Sequence, residues 1–201
     1  MPNALNKKPK QFEAFDEWLL IKLNKLVELC TASFENYESS RPKQEINNFF
    51  WHVFCDNYLE IIKSRVYNNK KGKEAAQYTL YYSFFNILKL LAPIMPYITE
   101  ELYQVYFKKS EKVKSIHITE WPESDKKMIN ENIEKAGDRA IEIIKEVRTF
   151  KSKAQKSMKA PIILTIEKKD QEMLKDFMED LKAVTAAKEI KEGKFEIKLI
   201  E

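Results

Sequence analysis

The stretch NNFFWHVFCDNYLEIIKSR, residues 47–65, places His52, Cys55, Asp56 and Glu60 within nine residues. Acid–base and metal sites are made from these side chains. A second order runs through the same residues. Phe50, Phe54, Tyr58 and Ile61 or Ile62 recur at helical spacing, with Val53 beside them. His52, Asp56, Glu60 and Lys63 line up on the other side, where residues three and four apart are neighbours. The stretch is therefore an amphipathic helix with one core face and one polar face. A zinc centre needs further His or Cys ligands, and the other histidine, His117, belongs to a different segment. Cys55 next to Phe54 reads as a buried, inert thiol. No catalytic residue and no metal ligand is assigned.

Working outward, FDEWLLIKLNKLVELC carries apolar residues at spacings of three and four behind Asp16, a candidate helix cap. Residues 38–44, ESSRPKQ, stop that helix and restart the next. EAAQYTLYYSFFNILKLLA, residues 74–92, is apolar almost all round, which places it in the middle of a bundle. PIMPYITEELYQVYF restarts at Pro96, whose missing N–H is harmless in a first turn. SIHITEWPE reads as short and extended, and a long helix is expected from Ser124 with Ile133, Ala136, Ala140, Ile144 and Val147 as its stripe. After Pro161 the pattern changes to a strand (IILTIE), a short helix (DQEMLKDFMEDLKAV) and an alternating strand (KFEIKLI) behind Gly193. The predicted fold is mainly α: a helical bundle over residues 1–155 and a small α+β appendage over 156–201.

Composition narrows the function. Three scattered glycines rule out a Gly-rich phosphate cradle, and two cysteines form neither a zinc knuckle nor a disulfide framework. The N-terminal MPNALNKKPKQ has no apolar leader stretch, and no run is long enough to span a bilayer, so a cytoplasmic protein without a membrane partner is expected. Net charge is only +4, but it is clustered. One run holds Arg65, Lys70, Lys71 and Lys73, and a second holds Arg148, Lys151, Lys153 and Lys156. Such runs are either solvated helix faces or phosphate contacts that release counterions from a polyanion.

Five segments carry a resemblance: DEWLLIKLNKL (16–26), FFWHVFCDNYLEIIKSR (49–65), LLAPIMPYITEELY (90–103), SIHITEWP (115–122) and EVRTFKSKAQKSMKAPI (146–162). In this order they resemble the C-terminal anticodon-binding region of valyl-tRNA synthetases, class I aminoacyl-tRNA synthetases, in their archaeal-like form. The third and fourth segments are shared with the isoleucine and leucine enzymes, whereas the wording around Trp51, His52, Cys55 and Asp56 looks valyl. The resemblance implies a bundle that binds the anticodon of a valine tRNA. It puts ATP chemistry in an upstream domain of the synthetase chain, with no cofactor in this part. The eight basic residues above follow from charge clustering and not from the family. The family's bundle also has an aromatic and basic helix before DEWLL, and the chain begins too late to hold a good match, so a cut first helix is expected. The leucine-rich coiled coil of bacterial valyl enzymes is not found at the end, which supports the archaeal-like form. Three other readings stand beside this one: an isoleucyl or leucyl anticodon domain, a helical protein–protein interaction module, and a helical metalloenzyme using His52, Asp56 and Glu60.

Overall fold

The computed structural model describes residues 7–125 and 128–200. Residues 1–6 of the stretch read for a leader, and Lys126 and Lys127 of the expected long helix, lie outside the described residues.

Helix α1 (Ala14–Glu35) is the spine of the fold, with Phe15, Leu19, Leu23, Val27 and Cys30 buried along it. Its cap is Glu13 and not Asp16. The two exchange side-chain and backbone bonds in a capping box, which satisfies N–H groups of the first turn. Asp16 sits at the phase of the apolar stripe and is fully buried.

Helix α2 (Ser40–Asn48) passes into a π-helical stretch (Phe49–Leu59) and on into α3 (Glu60–Tyr67). The sequence pattern predicts a plain α-helix here, and the wider turn is a difference. Such turns are rare and concentrate at functional sites. The rings of Phe50, Phe54 and Tyr58 stack along it with centroids 6.2 and 6.3 Å apart. The Asn57 side chain also donates to the carbonyl of His52, five residues back.

Helix α4 (Lys73–Leu91) is apolar on most sides because two cores flank it. Ala76, Ile87 and Leu90 join the main core, while Phe85 and Leu88 enter a smaller one closed by Tyr103, Phe107 and Ile116. That second core rests on α5 (Pro96–Tyr106), begun by its proline, and is followed by α6 (Lys108–Glu111). SIHITEWPE is not extended throughout: Ile116–Ile118 forms a 3-10 turn capped by the Ser115 hydroxyl. Helix α7 (Glu131–Lys153) starts behind its cap Asn130, seven residues after Ser124. It lies against α1, where Gly137 admits Trp18; a Cβ at Gly137 would stand 2.2 Å from Trp18 Cδ1. Trp18 Nε1 donates to Asp138 at 2.9 Å, and Lys22 pairs with Glu134 and Asp138.

The C-terminal piece runs β1 (Ile162–Ile166), α8 (Lys168–Met173), α9 (Met178–Thr185), β2 (Ala187–Glu192) and β3 (Glu196–Leu199). Strand β1 is central, parallel to β2 and antiparallel to β3. A 3-10 turn at Lys175–Phe177 divides what reads in sequence as one helix. Ile162, Leu164 and Ile166 are fully buried in the same core as Phe15, whose ring meets Phe177 edge-on at 4.8 Å. Helix gives way to strand between Lys153 and Ile162, and the packing crosses that junction without a break.

Candidate nucleic-acid interface

The first basic run falls at the junction of α3 and α4. Lys70 and Lys71 are exposed in the connection and Lys73 is half-exposed at the first turn of α4. Gly72 is the cap residue, with φ +78°, a region that glycine enters without strain. It is also crowded: a Cβ there would lie 2.6 Å from Glu13 Cγ.

Arg65 is not presented to solvent with them. It is 4% exposed, and its guanidinium grips Asp16 through both Nη atoms, at 2.9 and 2.7 Å. Nη1 also donates to the carbonyl of Gly72 at 3.2 Å. Nε lies 3.2 Å from Asp180 Oδ1 without hydrogen-bond alignment. Tyr58 donates its hydroxyl to Asp16 at 2.8 Å. Burial disfavours the Arg65 charge, but the bonds and charge of Asp16, aided by Asp180, raise its pKa above the usual value. Asp180 goes the other way: burial pushes its pKa up to about 6, more than Arg65 lowers it. Arg65 thus joins α1, α9 and the Gly72 turn, and it is replaced as a phosphate candidate by a positioning role. A signal for this was present, because Arg65 stands seven residues from Tyr58 and four from Ile61, on the apolar stripe.

The second run divides in the same way. Lys153 and Lys156 are exposed at the end of α7. Lys151 is 1% exposed, and its ammonium donates to the carbonyls of Met158, Ala160 and Thr185 at 2.8, 2.7 and 2.8 Å. Those bonds use its three protons to tie the end of α7 to the lead-in to β1 and to the end of α9, and burial lowers its pKa. It too leaves the phosphate set, being four residues past Val147 on the α7 stripe. Arg148 is half-buried against the π-helical stretch, donating to the Asp56 carbonyl at 2.9 Å and to Asn57 Oδ1 at 3.1 Å. It borders a hollow of about 510 Å³ shared with His52, Asp56 and Glu60. His52 and Asp56 meet there at 3.1 Å on the surface. Among the described residues no group of three or more His, Cys, Asp or Glu gathers to hold a metal. Burial pushes the Cys30 thiol up to about 12 and raises that of Cys55, so neither is an activated nucleophile.

The chain thus carries two exposed lysine clusters, set apart from each other, and two thiols of raised pKa. The family model described as the anticodon-binding domain of tRNA ligase matches residues 16–168. The chain belongs to this family. A valine–tRNA ligase of Rickettsia felis is 41% identical over 92% of the chain and 22% of its own length. One of Rickettsia rickettsii (strain Sheila Smith) is 40% identical over 98% and 25%, and one of Thermococcus kodakarensis 37% over 77% and 18%. The chain thus spans a quarter or less of these curated relatives' length.

The matched region of this anticodon-binding domain crosses from α7 into β1 and ends at the start of α8, in keeping with their shared core. No helix among the described residues is long and apolar enough to cross a membrane. The basic residues that sequence reasoning missed are Lys7, Lys8 and Lys10, ahead of α1. They border the same surface as Lys70, Lys71 and Lys73. Some sixty residues separate the two groups in the chain, so only the tertiary fold brings them together.

Proposed function

We propose that this domain is the anticodon-reading part of a valine–tRNA ligase. The match over residues 16–168 to the anticodon-binding family carries this reading, and the valine assignment follows the relatives' names. For the archaeal-like form the Thermococcus relative speaks in favour, whereas the Rickettsia relatives, which are bacterial, match more of the chain at higher identity. In the complete enzyme, valine would be activated with ATP to valyl-adenylate and passed to tRNA in another part of the chain, in the cytoplasm. Within this domain the work is binding. Lys70, Lys71, Lys73, Lys153, Lys156 and the outer face of Arg148 supply phosphate contacts. Such contacts set position and salt dependence, while bases splayed from a loop are read at their edges.

The test is binding of the chain to a valine tRNA transcript, to an anticodon-changed version and to isoleucine and leucine tRNAs across a salt series. Salt-sensitive binding that weakens with the anticodon change and prefers valine tRNA is expected. Preference for isoleucine or leucine tRNA overturns the valine assignment. Absence of binding at low salt overturns RNA recognition by this chain.

A further inference from the structure

One positive surface is formed by neither basic run alone. Lys7, Lys8 and Lys10, leading into α1, and Lys70, Lys71 and Lys73 together line an open groove of about 850 Å³. Two acids line it as well, Glu13 and Glu74. Lys71 lies 3.8 Å from Glu13, and Lys73 donates to Asn69 at 3.2 Å. Lys7, Lys8, Lys10 and Lys70 make no ion pair among the described residues. The groove's excess charge is therefore not cancelled internally, and the positive end of the α4 dipole adds to it.

The groove has a built floor. Its two sides meet where Glu13 passes Gly72, and a Cβ on Gly72 would lie 2.6 Å from Glu13 Cγ and 3.1 Å from Arg65 Nη1. Arg65 holds the Gly72 carbonyl from beneath while gripping Asp16, which in turn closes the Glu13 capping box. Both sides are thus tied to one buried ion pair. Pro9 and Ala75 are the apolar lining side chains. Protein partners are usually anchored by large aromatic or aliphatic groups, and this groove offers them no such pocket. Lysine ammoniums act as point charges suited to successive phosphates.

We propose that the groove grips the sugar–phosphate backbone of an RNA strand from both sides, with Lys7, Lys8 and Lys10 as the second wall. This rests on the RNA-binding reading above and extends it to a segment outside the matched residues 16–168. Arg65 and Gly72 are positioning residues for the groove.

The experiment compares the chain with K7Q/K8Q/K10Q and with a control of equal charge change on β2, β3 and the turn between them, outside the groove lining, K188Q/K194Q/K198Q. The probes are a valine tRNA transcript and poly-glutamate, titrated over a salt series. All six substituted side chains are exposed, and thermal melts check that the fold is kept. Three lost contacts to a single strand should lower the salt slope by about two and raise Kd at 0.1 M salt on the order of a hundredfold, measured against a 1 M reference. The sheet control should match the unaltered chain. If the chain binds tRNA and K7Q/K8Q/K10Q keeps the full slope, the groove is overturned while RNA binding stands. If the chain binds no tRNA, both fall. Tighter binding of poly-glutamate than of tRNA overturns the choice of RNA as occupant.

Discussion

Arg65→Met removes the guanidinium from the Asp16 pair while keeping a long apolar stem. Asp16 is fully buried, and after the change it retains the Tyr58 hydroxyl at 2.8 Å and the Glu13 N–H at 3.2 Å, with no cation. Breaking a buried ion pair by deleting one partner costs about 3–5 kcal/mol, because the other charge is left uncompensated. The loss should carry a pH signature. Asp180, already raised to about 6 with Arg65 beside it, binds its proton more tightly still when Arg65 is gone. The folded variant then holds more protons than the unfolded chain, so its stability falls as pH rises through that window. The gap between wild type and variant should be widest near pH 8 and narrow toward pH 5. Urea unfolding followed by helical circular dichroism at the two pH values measures it. A loss under about 1 kcal/mol at pH 7, or a gap that ignores pH, would refute the assignment of Arg65 as a buried ionic hub.

Asp180→Asn should be neutral or stabilising at pH 7, because its raised pKa means that the fold prefers the uncharged form. Wild type should lose stability as pH rises from about 4 to 6, and the variant should lack that component in a urea series. Lys151→Met leaves three carbonyls without their donor and should cost about 2–4 kcal/mol. Its tRNA salt slope should be unchanged, whereas each of Lys153→Gln and Lys156→Gln should lower that slope by about one. Gly137→Ala drives a methyl into Trp18 and should cost about 2–3 kcal/mol in urea unfolding, with altered tryptophan emission.

Much of the helical framework was legible because amphipathic spacing is a local property. The stripes of Phe15 to Cys30, Phe50 to Ile62 and Ala136 to Val147 each mark a face that has to be covered. The all-round apolarity of residues 74–92 likewise announced a helix packed on several sides, and two cores flank it. Strand β2 escaped notice because AKEIKE is charged at four of six positions, as exposed edge strands commonly are. Its pairing with β1 lies in backbone bonds that side-chain pattern does not encode. The π turns were equally hidden, since i+4 and i+5 neighbours share the same residues in sequence.

The sequence by itself determined the helical bundle and the family, because periodicity and ordered motifs are written along the chain. The tertiary structure alone decided which basic groups face water. Arg65 and Lys151 belong to basic runs by composition, yet both lie on apolar stripes and turn inward. There Asp16 balances one charge, with Asp180 beside it, and three carbonyls satisfy the other. Lys7, Lys8 and Lys10 gain a partner wall only when α1 is laid beside the start of α4. Charge density is a property of space, and contacts between distant segments set it.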